Sequence, residues 1–323
     1  MPPGGLDDMT AKVILNPYAG RWKGAQNRQK IEAVLASAGV KFELAITEGP
    51  DHGKVLAYQA AKNGYSPIIS AGGDGSVSEV MNGIVTAAQD SGAAPEPLGI
   101  LPLGSANDLV VNLHLPVDLV GAAQVIANGY TRQIDLGEVT AWDILMKNKQ
   151  KRYFDNNSAI GLEPSITLIQ QRITWLRGSS RYLLAALLGV LKNPQWTLHL
   201  TWDSGEYNGP ATLVTAGNNP LTGGVFYMAP HADPFDGKLD CVFGSVPHRL
   251  KILQLLPKTM KPMIGSYVEH PAIHEVRVSW LKIRTDQPTP LHADGEILFE
   301  ATQDIEYHIL PAYLPVLVDG AKQ

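Results

Sequence analysis

The run Gly72-Gly73-Asp74-Gly75-Ser76 is the strongest chemical signal in the chain. It stands between an apolar strand-like run at 67–71 and a segment of helical periodicity. Glycines at such a turn let the backbone approach a ligand, and the first amides of the following helix offer donors to phosphate. A carboxylate inside a phosphate-binding loop repels its ligand unless a divalent cation lies between them. The run therefore points to a metal-bridged phosphate; a tight turn with a solvated Asp74 is the plainer reading. Asn16-Pro17-Tyr18-Ala19-Gly20 and the run LPLGSAND at 101–108 also follow apolar runs. Alone, each is a turn. Behind parallel strands, however, such loops converge on one crevice, the usual ligand site of an open α/β sheet.

The elements that would position these loops are legible. Residues 12–15, 40–47, 67–71 and 98–101 read as strands. Between and after them lie helical faces: Ile31, Val34, Leu35 and Ala38; a helix from Asp51, a plausible N-cap, to Gly64; Val77, Val80, Met81, Ile84 and Val85; and Leu119, Ala122, Ala123 and Ile126. Repeated βα units of this kind make a parallel sheet covered by helices. After Thr131 the texture changes. Runs at 197–202, 276–283 and 305–310 are β-rich and separated by turn signals, which predicts an antiparallel sandwich interrupted by apolar helices near 179–192 and 248–265. The boundary falls within 131–142.

Composition narrows the classes. A formal charge of −5 argues against a nucleic-acid partner. The single Cys241 forms no internal disulfide, so the chain reads as cytoplasmic. The opening MPPGGLDDMT has no apolar run and reads as a frayed tail rather than a signal peptide. The apolar run at 182–191 falls short of the roughly 20 residues that span a bilayer, so any membrane encounter is peripheral, at the inner face. Arg172, Arg177 and Arg181 precede that run, and Arg249, Lys251, Lys258 and Lys261 punctuate the next. Such helices pack on a core with a solvated basic face, or rest on anionic lipid. His231, His270, His274 and His292 read as structural or surface residues. There is no GxSxG or HExxH motif and no catalytic cysteine setting.

NPYAG, SAGGDGS, LPLGSAND, IDLGEV, DPFDGKLD and HADGE, in this order over about residues 12–300, resemble the diacylglycerol kinase catalytic family. That family includes soluble bacterial diacylglycerol kinases, YegS-like lipid kinases and sphingosine and ceramide kinases. The resemblance implies an N-terminal three-layer α/β domain like that of phosphofructokinase or NAD kinase, over 10–135. It adds a C-terminal β-sandwich over 136–304, with a segment at about 305–320 returning to the first domain. It further implies that Asn16, Pro17, Tyr18, Ala19, Gly20, Thr47, Gly72, Gly73, Asp74, Gly75, Ser76, Glu79, Ser105 and Asn107 hold the nucleotide.

By the same resemblance, Asp74 and Asp108 organise a catalytic Mg2+ that accompanies ATP, and Asp135 joins that acidic network. Asp294 matches the general base of the bacterial enzymes, although in the sphingosine kinase branch the residue at Asp74 takes that part, so the assignment stays open with Asp294 preferred. Asp233, Asp236 and the Lys238 carbonyl match a second, structural Mg2+ site. Ala19 stands where the family often has Ser, and Ser76 and Ser105 where it has Thr; the two hydroxyls survive. The expected reaction is transfer of the ATP γ-phosphoryl to a lipid alcohol, diacylglycerol-like or sphingoid-like. An NAD kinase and a non-catalytic nucleotide- or lipid-binding module are the alternatives. Oligomeric state has no signature here, and a homo-oligomer stays open.

Overall fold

The computed structural model describes residues 10–320 apart from residues 23, 174, 177–178, 193–194 and 247. The opening tail and Arg177 lie outside the described residues. Contacts divide the chain into two units. One holds the described residues up to Ile134 and from Ala312 on; the other is Asp135–Pro311.

In the first unit β1 (Ala11–Leu15), α1 (Ala19–Trp22), α2 (Gly24–Ser37), β2 (Phe42–Ile46), α3 (His52–Lys62), β3 (Ile68–Gly72), α4 (Asp74–Ser91), β4 (Leu98–Pro102), α5 (Asp108–Asn112) and α6 (Leu119–Asn128) follow one another. The strands pair in parallel in the order β2-β1-β3-β4. β3 and β4 are buried along their whole length, which is why they read as continuous apolar runs rather than alternating ones. Val13, Leu15, Ile69, Ala71 and Leu101 pack with Ile31 and Leu35 of α2 and Ala122 and Ile126 of α6. α4 buries Val77, Val80, Met81, Ile84 and Val85. It approaches α3 so closely that a Cβ at Gly83 would lie 2.4 Å from the Lys54 carbonyl oxygen.

The helix expected from Asp51 is present, but its cap is not the expected one. Asp51 has a left-handed backbone (φ 61°), and its side chain does not cap α3. Glu79 of α4 does so instead, accepting the Asp51 N–H (2.9 Å) and the Gly53 N–H (2.8 Å).

β5 (Thr131–Asp143) carries the chain into the second unit. There β6 (Asn148–Phe154), β7 (Asn157–Gly161), α7 (Leu162–Arg172), α8 (Ser179–Lys192), β8 (Trp196–Trp202), β9 (Gly205–Ala211), β10 (Leu213–Gly217), β11 (Leu221–Thr222), β12 (Phe226–Tyr227), β13 (Leu239–Gly244), α9 (Arg249–Leu255), β14 (Ile273–Val278), β15 (Trp280–Ala293) and β16 (Glu296–Leu317) follow. The pairing is antiparallel. β15 lies against β8 at 281–285 and against β7 at 291–293, and its pairing with β16 shifts register between Arg284 and His292. A bulged strand that changes partners in this way serves both layers of a sandwich. Leu198, Leu200, Phe243, Leu281, Ile283 and Tyr307 lie in its core.

The β-rich run at 276–283 is strand as expected, the end of β14 and the start of β15, with Ser279 between them donating its N–H and hydroxyl to Asp203 (2.9 and 2.6 Å). One expectation is corrected. The helix expected near 248–265 is α only to Leu255 and then a tight 3-10 turn, Leu256–Met260, with Pro257 at its start. Proline lacks the N–H that would continue the α-helix, and Pro262 follows. β16 ends in the first unit, where Val316 pairs in parallel with Leu98.

Candidate functional site

In the first unit the loops after β1, β3 and β4 are joined to one another by side chains and by glycine backbone. Asn16, the residue after β1, donates from Nδ2 to the Ser76 hydroxyl (2.9 Å), while its Oδ1 accepts the Tyr18 N–H (2.9 Å). Asp74 opens α4, and both its oxygens reach the next loop: Oδ2 accepts the Asn107 N–H (3.0 Å) and Oδ1 the Asp108 N–H (2.5 Å). Asn107 sits in the left-handed region (φ 53°), and its amide brackets Gly104, accepting that residue's N–H and donating to its carbonyl. A Cβ on Gly73 would lie 3.1 Å from the Gly104 Cα, and one on Gly104 2.7 Å from the Gly73 Cα. The two loops therefore meet backbone to backbone, which only paired glycines allow.

This arrangement presents the first turn of α4, whose leading amides have no acceptor within the helix, beside two glycine loops. Gly20, with φ 65°, lies close to the Leu103 carbonyl, and Thr47 is buried where β2 ends. Ser105 is exposed. Of the residues expected at the nucleotide, Glu79 stands apart in having its carboxylate bonded to the amides of Asp51 and Gly53. Asp108 is buried in α5.

The second unit holds the remaining candidates. Buried Asp135 is tied to the turn at 233–237: its N–H donates to the Pro234 carbonyl (2.8 Å), and its Oδ2 accepts the Gly237 N–H (2.6 Å). In that turn Asp233 Oδ1 accepts the Phe235 N–H, and Asp236 Oδ1 accepts the Lys238 N–H (2.9 Å). The Arg277 guanidinium pairs with the other Asp236 oxygen. Asp240 has its carboxyl pushed up to about 7, first by burial and then by the charge of Glu275. Among the described residues no group of three or more His, Cys, Asp or Glu side chains is gathered to hold a metal.

Asp294 occupies the tight turn between β15 and β16 with φ 47°, followed by Gly295 with φ 78°. Asp-Gly is the pair that such hairpin turns favour. Its Oδ1 accepts the Asn156 N–H (3.0 Å), and its own N–H donates to the Asn157 carbonyl (2.8 Å).

A polar cluster that the sequence reading missed lies under this turn. His292 Nε2 is 3.0 Å from Glu163 Oε1, and His292 Nδ1 accepts the Gly295 N–H (3.3 Å). Glu163 also accepts from Asn157 Nδ2 and the Thr215 hydroxyl, each at 3.0 Å. Burial by itself would raise the Glu163 carboxyl; the His292 ring and the two hydrogen bonds bring it below the usual carboxylate range. Asn218 donates to the carbonyls of Asp135 and Asp155, and Asn219 to that of Asp155. His292 is thus a buried structural residue. The available signal was the two Asn-Asn pairs, 156–157 and 218–219, one at the start of β7 and one just after the end of β10. Cys241 is buried with its thiol pushed up, first by burial, which suits a core residue.

Residues 10–139 match the family model "Diacylglycerol kinase catalytic domain", and 157–318 match "YegS C-terminal NAD kinase beta sandwich-like domain". A Chromohalobacter salexigens protein named "Probable lipid kinase YegS-like" is 32% identical over 285 residues, 86% of this chain and 85% of that one. The chain belongs to the family of diacylglycerol kinases and YegS-like lipid kinases. A diacylglycerol kinase of Mycobacterium tuberculosis is 29% identical over 308 residues, 94% of each chain. Among solved structures, a diacylglycerol kinase from Bacillus anthracis aligns with a TM-score of 0.72 at 20% identity over 97% of each chain. Yeast NADH kinase aligns at 0.52 and 10% identity, over 95% of this chain and 82% of that one. Both likenesses are of fold: an α/β unit followed by a β-sandwich. The family is one of phosphotransferases with an alcohol acceptor.

Proposed function

We propose that this lipid kinase transfers the γ-phosphoryl of ATP, with Mg2+, to the hydroxyl of a diacylglycerol-like or sphingoid-like lipid. The observation that carries the reading is the Asp74 clamp. One carboxylate accepts two successive amides of the neighbouring loop, and in doing so aligns two glycine backbones beside the open first turn of α4. Such a cradle of amides suits a triphosphate. Asn16, Pro17, Tyr18, Ala19, Gly20, Thr47, Ser76 and Ser105 are the further nucleotide contacts we assign.

Asp74 and Asp108 offer the hard oxygen donors that Mg2+ takes and would hold it with waters and phosphate oxygens; Asp135 is the further acidic residue that the family resemblance assigns. Mg2+ there would neutralise charge on the transferring group. The protein's own work is positioning and proton removal. We assign the proton to Asp294, whose turn is held in one conformation by the Asn156 and Asn157 backbone. A second Mg2+ is assigned to the turn of Asp233, Asp236 and the Lys238 carbonyl, which Asp135 braces. Among the described residues no helix is long and apolar enough to cross a membrane. We place the enzyme in the cytoplasm, meeting its substrate at the inner membrane face.

The test is Asp294→Asn, assayed with labelled ATP and a panel of lipid alcohols. Turnover should fall about 10²- to 10⁴-fold while ATP still binds. A variant rate equal to that of the parent would remove Asp294 from the reaction. Because the fold is shared with an NADH kinase, NAD is assayed as acceptor alongside the lipids; NADP as the dominant product would replace the lipid reading.

A further inference from the structure

We propose that the outward side of α9 and the segment after it, residues 249–264, is a docking surface for an anionic lipid bilayer; this rests on the lipid-kinase reading for the source of its acceptor. The inward side of this segment is accounted for. Ile252, Leu253 and Leu256 pack against the Leu162, Ile166, Ala185, Ala186 and Val190 cluster of α7 and α8. The outward side leaves Leu250 75%, Met260 51%, Met263 57% and Ile264 92% exposed. Four large apolar side chains within fifteen residues facing water mark a surface made for another phase.

Charge identifies that phase. The whole chain carries −5, yet residues 164–202 and 241–268 contain eight Lys and Arg and no Asp or Glu. Four of the eight, Arg249, Lys251, Lys258 and Lys261, alternate with the exposed apolar residues and are themselves exposed. None of the four makes an ion pair among the described residues. α8 packs against α9 and adds exposed Leu187, Leu188 and Leu191, with exposed Lys192 at its end.

Apolar side chains that enter the acyl boundary while cations stay among head-group phosphates are the make-up of an interfacial segment. A protein partner is disfavoured, because lysine is depleted from protein interfaces. A second copy is disfavoured as well, because a two-fold contact would set these four basic residues against themselves.

The test is co-sedimentation of the full chain, without nucleotide, with vesicles of phosphatidylcholine alone and of phosphatidylcholine with phosphatidylglycerol. The parent should pellet with the anionic vesicles, and added salt should release it. Lys251→Gln, Lys258→Gln and Lys261→Gln should each weaken binding about fivefold, and the double variant Met263→Ser with Ile264→Ser should weaken it at least as much. All these positions are exposed, so the variants should phosphorylate a short-chain acceptor dispersed in water at the parent rate. Variants that pellet like the parent, or equal pelleting on neutral and anionic vesicles, would overturn the proposal. So would a dimer in light scattering that Ile264→Ser dissolves. Failure of the parent to phosphorylate any lipid bears on the kinase reading instead, since vesicle binding is read separately.

Discussion

Asp74 and His292 act through their neighbours, so each can be tested by what those neighbours then do. Replacing Asp74 with Ala leaves the Asn107 and Asp108 amides without their acceptor. Loss of such a cap costs about 1–2 kcal/mol. A lowered melting temperature together with lost ATP binding is expected; unchanged ATP affinity by calorimetric titration would show that the clamp does not serve the nucleotide. Glu163 makes stability depend on pH in a defined sense. Its folded value is depressed below the ordinary 4.5, so its contribution is present above about that pH and fades as pH falls through the folded value. His292→Gln removes the ring that offsets burial. The Glu163 carboxyl should then rise, and stability should instead decline as pH climbs past its ordinary value. The variant should lose on the order of 3 kcal/mol at neutral pH, read by denaturant melts across the acid range.

Between elements, the decisive contact is the approach of the loops after β3 and β4. Gly104→Ala places a methyl 2.7 Å from the Gly73 Cα, a clash with backbone that no rotamer relieves. Overpacking of this kind costs roughly 1–3 kcal/mol. Weaker ATP binding is expected with the second unit's packing intact, and near-UV circular dichroism with titration would check both. Gly83→Ala meets the Lys54 carbonyl at 2.4 Å in the α3–α4 contact and should cost stability without bearing on catalysis. Element type was readable wherever local pattern decides it, as in the buried runs of β1, β3 and β4. It was overread past Leu255, where Pro257 and Pro262 stop the α-helix that the apolar run to 265 suggested.

Across the molecule, two strands carry the chain between its units. β5 leads into the sandwich, and β16 comes back so that Val316, fully buried, pairs with Leu98 at the edge of the parallel sheet. Val316→Asp would bury a charge there at a cost of several kcal/mol, about 3 or more. The melt should show early loss of the first unit and no protection by ATP. A single unshifted transition would mean that the returning strand is dispensable.

What the sequence by itself determined is what neighbouring residues determine among themselves: buried parallel strands from unbroken apolar runs, helices from their period, turns from Gly, Asp and Pro. The order of the motifs also carried the family. Tertiary structure alone decided which side chains meet. Asp74 reaches amides 33 and 34 residues on, Asp135 braces a turn 102 residues away, and Asp294 is held by an amide 138 residues earlier. Each of these contacts forms only once separate elements have packed, and a bond across such a distance leaves no periodicity in the chain from which to read it.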